Sequence, residues 1–184
     1  MNNRKVVAGV AGLCLAMGVS GVAVAASSAP KKNTITEKTG IEMKANRYIK
    51  DELRFAKDVY NIKTGGAITF INTAADEGPH TVSIVKKKDL PTKGSQIQNC
   101  AICNKLGQAH GADPNSDAPP KFQYLENGVG QDTAPNVDRP GDSGVTGQGQ
   151  KGEKITFPVT AKKGSTLYFM CIIHPWMQAT VHVK

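Results

Sequence analysis

Cysteine and histidine are both scarce in this sequence, which has four of each among 184 residues. Cys14 lies in an N-terminal stretch that we expect to be removed, which leaves Cys100, Cys103 and Cys171. One thiol is therefore left over after any pairing. Unprotected thiols oxidise in an oxidising compartment, so an unpaired cysteine there needs an explanation, and a metal ligand is one.

A sustained helical period is missing between residues 47 and 85, although residues 49–56 are compatible with a short turn of helix. Short alternating runs rich in β-branched and aromatic residues occur instead, with glycine-bearing turns at residues 63–66 and 162–164. They predict strands over residues 67–71, 80–85, 154–159, 166–170 and 177–183. The sequence therefore predicts an all-β protein, either a sandwich or a barrel.

The N-terminus lacks charge over residues 6–26, directly after Arg4 and Lys5. The uncharged stretch ends on the small residues of Ala-Val-Ala at 23–25, which is the pattern that a signal peptidase cleaves. An uncleaved membrane anchor is the alternative, because 21 uncharged residues suffice to span a bilayer. The glycines and the cleavage pattern favour a signal peptide over residues 1–25, and hence a periplasmic or otherwise exported protein.

The mature chain is expected to form one domain. Residues 26–46, rich in Ser, Ala, Lys and Thr, predict an N-terminal linker before a domain over residues 47–184. Residues 86–152 hold most of the glycine and proline and few large apolar residues, so we expect a long, loop-rich insertion there. Its best candidate for local order is the stretch 121–125.

Acidic residues are outnumbered, 15 against 23 basic ones, and the formal net charge is +8. Removal of residues 1–25 takes away two positive charges and no acid, which lowers the charge to +6. A basic protein of this kind suits an acidic docking surface on a partner. The sequence contains no recognisable nucleic-acid-binding module, and the run of lysines at 86–88 is typical of a solvated surface.

The ligand-like residues Cys171, His174 and Met177 follow one another at Cys-x2-His-x2-Met spacing, in the loop between two predicted strands. His80 stands at the start of another predicted strand. Each residue alone is ordinary, since methionine and cysteine are common in protein cores. Together they suit copper, because soft sulfur ligands favour Cu(I) and imidazole accepts both oxidation states.

These residues resemble those of the cupredoxins, the type 1 blue copper proteins of the amicyanin and plastocyanin kind. The similarity covers residues 48–85 and 154–184. It implies a Greek-key β-sandwich with one mononuclear copper held by His80, Cys171, His174 and Met177. It also implies an electron port at the surface, for which the candidates are His174, Pro175 and Trp176. Two positions depart from the family pattern: Thr81 stands where asparagine is common, and Ala179 where glycine is more usual.

The resemblance implies a protein that shuttles single electrons between redox partners such as a cytochrome, an oxidase or a dehydrogenase. A catalytic copper protein would need more histidines and more than one such domain, so we expect no enzyme activity. A copper-binding or delivery module without redox traffic would use the same ligands and stays open. Contact with a membrane is expected only if the N-terminal segment is uncleaved.

The pair Cys100 and Cys103 forms a Cys-x2-Cys motif inside the predicted insertion. Asn104 stands where covalent c-type haem attachment requires histidine, and the βαβ context of a thioredoxin motif is absent. A second metal site that includes the nearby His110 stays open. In an exported protein the pattern favours a structural disulfide between the two cysteines.

Overall fold

The computed structural model describes residues 32–73, 78–116, 118–147 and 149–184. The predicted signal peptide lies outside these residues. The described chain contains two β-sheets that pack against each other, together with a separate two-stranded hairpin and two short helices. The predicted β-sandwich is confirmed. No helix within the described ranges is long and apolar enough to cross a membrane.

The first sheet has four strands in the order β11-β6-β1-β4. β6 lies at its centre, antiparallel to β11 and parallel to β1. Its inward positions carry large apolar side chains, because alternate residues of a strand point to the same face. The strands are β1 Lys32–Lys38, β4 Arg54–Phe55, β6 Ala67–Ile71 and β11 Lys154–Pro158.

The second sheet has seven strands in the order β5-β13-β12-β7-β10-β8-β9. β12 is antiparallel to both β13 and β7, so the C-terminal end of β12 lies beside the N-terminal end of β7. The strands are β5 Val59–Ile62, β7 Thr81–Val85, β8 Tyr124–Glu126, β9 Val129–Gln131, β10 Ser143–Val145, β12 Thr166–Met170 and β13 Gln178–Val183.

The predicted linker is wrong from residue 32 onwards. β1 is an interior strand of the first sheet, and its Ile35 is fully buried. Composition misled the prediction because β1 also turns the polar side chain of Glu37 inward, where it accepts from the hydroxyl of Thr73 at 3.0 Å. The described part of the domain therefore begins before residue 47.

The exposed hairpin consists of β2 Ile41–Lys44 and β3 Tyr48–Asp51, and all eight of its residues are exposed. The short turn of helix considered for residues 49–56 is wrong, because β3 and β4 occupy most of this range. Asp51 bonds the backbone amide of Leu53 at 2.8 Å, which turns the chain between the two strands.

The predicted insertion, residues 86–152, is only partly made of loops. Its strands β8, β9 and β10 extend the second sheet, and β8 overlaps the stretch predicted to be ordered. A helix that the sequence did not predict, α2 Ala101–Ala109, follows the 3₁₀ turn Lys87–Asp89 and the five-residue helix α1 Gly94–Gln98. Cys103 and Leu106 form its buried face.

The core has two parts. The larger cluster lies between the sheets and contains Phe55, Phe70, Phe157 and Phe169, each at most 1% exposed. A smaller cluster lies on the other face of the second sheet, under α2, and includes Val85, Cys100, Cys103, Leu106, Leu125 and Met170. Because both faces of the second sheet are covered near its centre, every residue of β7 is buried.

Candidate metal centre

The ends of β7 and β12 bring the candidate ligands together. His80 directly precedes β7, and Cys171 directly follows β12. Met170 at the end of β12 pairs with Ser83 of β7, so the next residues on each strand meet at the same end of the sheet. The loop 171–177 connects β12 to β13 at this end. Strand pairing thus joins residues that are about 90 positions apart in sequence.

The side chains of His80, Cys171 and His174 converge on one point. Each offers a ligand atom, and these atoms all lie within 4.8 Å of one another. The sulfur of Cys171 is 3.7 Å from Nδ1 of His174, and the two imidazole rings are 5.0 Å apart between centroids. His80 and Cys171 are fully buried, whereas His174 is partly exposed. Among the described residues, this is the group of histidine, cysteine and acidic side chains that could hold a metal ion.

The ring of His80 is the decisive feature of the cluster. Neither of its nitrogens has a hydrogen-bond partner among the described residues, although both are buried. A buried polar group without a partner costs about 1–3 kcal/mol, so such a group points to a ligand. Thr146 holds the backbone of His80 through two hydrogen bonds. Its hydroxyl accepts from the His80 amide at 2.8 Å, and its amide donates to the His80 carbonyl at 2.9 Å.

Met177 closes the ligand loop and is fully buried. The amide of Cys171 donates to the carbonyl of Met177 at 2.9 Å, and the amide of Met177 donates to the carbonyl of His174 at 2.8 Å. These two bonds make the loop compact. They hold all three loop candidates at the same end of the sandwich as His80.

Thr81 ties β7 to the ligand loop. Its hydroxyl accepts from the amide of Ile172 at 2.8 Å, and its own amide donates to the sulfur of Cys171 at 3.3 Å. Asparagine is common at this position in the family that the sequence resembles. The threonine hydroxyl supplies a bond between the two ligand-bearing segments here.

Burial sets the protonation of the cluster. Burial, the nearby His80 and the opposing charge of Asp51 together place the pKa of His174 at about 4, and burial also lowers the pKa of His80. Both rings are therefore neutral near pH 7, with a lone pair available for a metal. Burial raises the pKa of Cys171, against the hydrogen bonds from Thr81 and the loop amides. A metal must displace the thiol proton when it binds.

One thiol and two imidazoles converge at the end of a β-sandwich, and a buried methionine lies at the end of the same loop. The fold is the predicted β-sandwich, and the ligand cluster agrees with the resemblance to the cupredoxins. The donor set suits one mononuclear type 1 copper, for which two histidines and a cysteine form the plane and a methionine is the weak axial ligand.

Similarity to known proteins is found only among solved structures. No model of a protein family matches the sequence, and no curated protein matches it significantly. Solved structures similar to this chain include auracyanin from Roseiflexus castenholzii, at 19% identity and a TM-score of 0.41 over 85% of this chain and 99% of that one. Auracyanin A from Chloroflexus aurantiacus shares 17% identity at a TM-score of 0.44, over 84% and 99% of the two chains. A purple cupredoxin from Nitrosopumilus maritimus shares 12% at 0.40, over 82% and 98%. Because these TM-scores are below 0.5, we assign the metal centre from the side chains of this chain alone.

Two exposed apolar side chains lie next to the cluster, beside charged residues of the segment 50–54. The indole of Trp176 meets the ring of His174 edge to face, with the centroids 5.4 Å apart. Trp176 is 38% exposed and the neighbouring Ile173 is 42% exposed, whereas Pro175 is buried. Of the three port candidates, His174 and Trp176 therefore reach the surface and Pro175 does not. Ile173, which the sequence analysis did not single out, belongs to the same surface.

The Cys-x2-Cys pair forms the predicted disulfide, between Cys100 and Cys103 at the start of α2. A second metal site with His110 has no support, because these sulfurs are bonded to each other and both ring nitrogens of His110 are engaged. Nδ1 lies 2.8 Å from the carbonyl oxygen of Phe122, and Nε2 lies 2.9 Å from the hydroxyl of Ser143.

Proposed function

We propose that this chain is a type 1 copper protein that carries single electrons, with one copper ion held by His80, Cys171, His174 and Met177. The observation that carries the proposal is the buried, unpartnered ring of His80 beside a thiol and a second imidazole. Copper in such a site gains and loses one electron, because sulfur ligands stabilise Cu(I) and imidazole accepts both oxidation states.

The contribution of the protein is to hold these side chains still. His80 is fixed through its backbone by Thr146, and Cys171 receives a hydrogen bond from the amide of Thr81. The loop is closed by its own backbone bonds to Met177. A ligand set held in this way changes little between two oxidation states, which suits rapid electron transfer.

The electron port of the proposal is the partly exposed ring of His174. The exposed side chains of Trp176 and Ile173 lie beside it and offer apolar area on which a partner can dock closely. The expected net charge of +6 for the mature chain favours a partner with an acidic docking surface. A cytochrome, an oxidase or a dehydrogenase fits this description.

The burial of the ligands distinguishes the carrier from its alternatives. His80, Cys171 and Met177 are each fully buried and His174 is only partly exposed. Ligands placed in this way would leave a bound copper ion little room for a substrate, and we propose an electron carrier rather than an enzyme. A delivery module must release its copper to another protein, which favours exposed and mobile ligands. Slow copper loss to a chelator supports the carrier, and rapid transfer to an acceptor protein supports delivery.

Export of the protein is part of the proposal. The disulfide between Cys100 and Cys103 supports it, since disulfides persist in the periplasm and outside the cell but are rare in the cytosol. The only other cysteine within the described residues is the candidate ligand Cys171.

The test is the visible and EPR spectrum of the protein loaded with Cu(II). We expect an intense band from charge transfer between thiolate and copper, lost in Cys171→Ser and kept in a Cys100→Ser/Cys103→Ser variant. The double serine variant is the matched control, because it also removes sulfur from the protein. A band that needs Cys100 and Cys103, or no band at all, contradicts the ligand assignment.

A further inference from the structure

A chain of hydrogen bonds runs through the second sheet from the insertion to the ligand loop. It begins at Nε2 of His110, which lies 2.9 Å from the hydroxyl of Ser143 in β10. That hydroxyl lies 2.7 Å from the hydroxyl of Ser83 in β7. The hydroxyl of Ser83 in turn lies 3.1 Å from the hydroxyl of Thr81.

Each member of this chain is buried: His110 is 2% exposed, Ser143 and Thr81 are 1% exposed, and Ser83 is fully buried. Buried polar side chains destabilise a fold unless they satisfy one another, and a connected network restricts each member to few orientations. The outer end is anchored, because Nδ1 of His110 lies 2.8 Å from the carbonyl oxygen of Phe122. A carbonyl only accepts, so Nδ1 carries a proton and the ring orientation is fixed.

The inner end of the chain meets the candidate metal ligands through Thr81. A hydroxyl rotates to suit its neighbours, so the bond between Ser83 and Thr81 constrains where the lone pairs and the proton of Thr81 point. One lone pair accepts the amide of Ile172 at 2.8 Å. The backbone amide of Thr81 donates to the sulfur of Cys171 at 3.3 Å. The chain therefore ends on the segment that holds the thiol.

We propose that His110 is a positioning residue for the metal centre, which acts through Ser143, Ser83 and Thr81 on the segment that carries Cys171. The proposal rests on the proposed function only in taking Cys171 as a ligand. The proposal gives the insertion a role. His110 at the end of α2 and Ser143 in β10 form the outer half of the hydrogen-bond chain, and Ser83 and Thr81 in β7 form its inner half. A ring at this position does more than fill space, because both of its nitrogens are used.

The position of His110 is itself well supported. The residue ends α2, and its amide donates to the carbonyl of Leu106 at 2.9 Å. Leu106 is 1% exposed and packs in the cluster that contains the disulfide. Leu106 belongs to the same helix and cluster but makes no bond of the chain, so it offers a matched control for a general loosening of this region.

The experiment compares His110→Leu, His110→Gln and Leu106→Ala with the unchanged protein. The first readout is hydrogen exchange of the Ile172 amide in the metal-free protein, which needs no copper. We expect exchange to be about five- to tenfold faster in His110→Leu, as the loss of one net hydrogen bond predicts. Glutamine can still bond Ser143, so His110→Gln should restore most of the protection. Leu106→Ala should lower overall stability without this selective effect.

The second readout is the copper-loaded protein. We expect a lower reduction potential and an altered copper hyperfine splitting in His110→Leu, because hydrogen bonds around the ligand sulfur tune a type 1 site. In a Thr81→Val background, His110→Leu should cause no further change, since the chain is already broken at its inner end.

Two results would overturn the proposal: equal acceleration of Ile172 exchange in Leu106→Ala and His110→Leu, or additive effects of His110→Leu and Thr81→Val. A failure of the proposed function would give a different experimental result. The unchanged protein would then lack the thiolate band, while the exchange of the Ile172 amide would still report whether His110 supports the loop.

Discussion

The amide of Ile172 donates to the hydroxyl oxygen of Thr81 at 2.8 Å, across 91 positions of sequence. Both residues are next to candidate ligands, since Thr81 follows His80 and Ile172 follows Cys171. The bond joins the two segments that must keep a fixed distance if their side chains are to share one ion. Its geometry makes the effect of removing one oxygen atom predictable.

Thr81→Val keeps the shape of the side chain and removes that oxygen. We expect a loss of about 1–3 kcal/mol in the free energy of unfolding, because the partly buried amide of Ile172 and the hydroxyl of Ser83 both lose a partner. Urea unfolding of the metal-free protein measures it. Thr156→Val is the control, since Thr156 is exposed on β11 and its hydroxyl bonds only that of Thr69 among the described residues. A similar loss in both variants would contradict the role of Thr81.

The buried ring of His80 predicts a conflict between stability and metal binding. His80→Leu replaces two unpartnered nitrogens by apolar atoms of similar volume, so the metal-free protein should become more stable by about 1 kcal/mol. The same variant should lose the rise in melting temperature that copper gives the unchanged protein. Calorimetry with and without copper measures both effects. A less stable metal-free variant would mean that the His80 ring is satisfied without a metal.

Residue patterns predicted the half of the fold that carries the ligands. The strands expected over residues 67–71 and 166–170 coincide with β6 and β12, because their alternating or continuous apolar side chains reflect burial directly. The short spacing of Cys171, His174 and Met177 also predicted that they lie together at one end of the sandwich. A short connection between two paired strands stays at the end of the sheet where it begins.

The elements that escaped prediction are those whose burial depends on distant partners. The composition of β1 is that of a polar linker. It is a strand because it pairs with β4 and β6 in the sheet. α2 has a narrow apolar face of Cys103 and Leu106, which gains its partner only when the insertion folds over β7 and β12. The support from His110 to Thr81 joins three segments, namely the end of α2, β10 and β7, so no local pattern contains it.

The depressed pKa values predict a pH dependence of the metal-free protein. The folded-state pKa of His174 is about 4, against about 6.5 for an unfolded histidine. Between these values the unfolded state binds more protons, so stability falls as the pH is lowered, by up to about 1.4 kcal/mol per pH unit for each such histidine. His80 and His110 shift in the same direction. The stability is fully present above about pH 6.5.

Urea unfolding at several pH values between 4 and 7 measures this slope. His174→Gln should reduce this slope by up to about 1.4 kcal/mol per pH unit, which corresponds to one proton. The partly exposed His182, which contacts the hydroxyl of Thr166 at the surface, provides the control variant His182→Gln. An unchanged slope in His174→Gln would mean that this ring titrates in the folded protein as it does in the unfolded chain.

The disulfide should matter little to the metal centre. It links residues three positions apart, so the chain-entropy model gives it only about 2 kcal/mol. We expect Cys100→Ser/Cys103→Ser to lose no more than this in the free energy of unfolding and to keep its copper spectrum. Unfolding in urea and the visible spectrum measure the two effects. A much larger loss would show that the pair also anchors α2 on the second sheet.

Trp176 is expected to control the rate of electron transfer without holding the metal. It is 38% exposed and touches the ring of His174, so a docked partner would bury it directly beside the port. Exposed aromatic residues that become buried at interfaces often contribute more than 1 kcal/mol, and Trp176→Ala should therefore slow reaction with a protein partner about tenfold. Stopped-flow reduction by a cytochrome, with the spectrum and the potential recorded alongside, measures the rate.

The control for Trp176→Ala is Val129→Ala. Val129 is 67% exposed in β9, the last strand at one edge of the second sheet, and lies outside the ligand loop. Its replacement should leave the rate unchanged. A tenfold loss in both variants would indicate contact over a broad apolar surface. A loss in neither would place the port away from His174, since truncation of the largest exposed side chain beside that ring would then have no effect on docking.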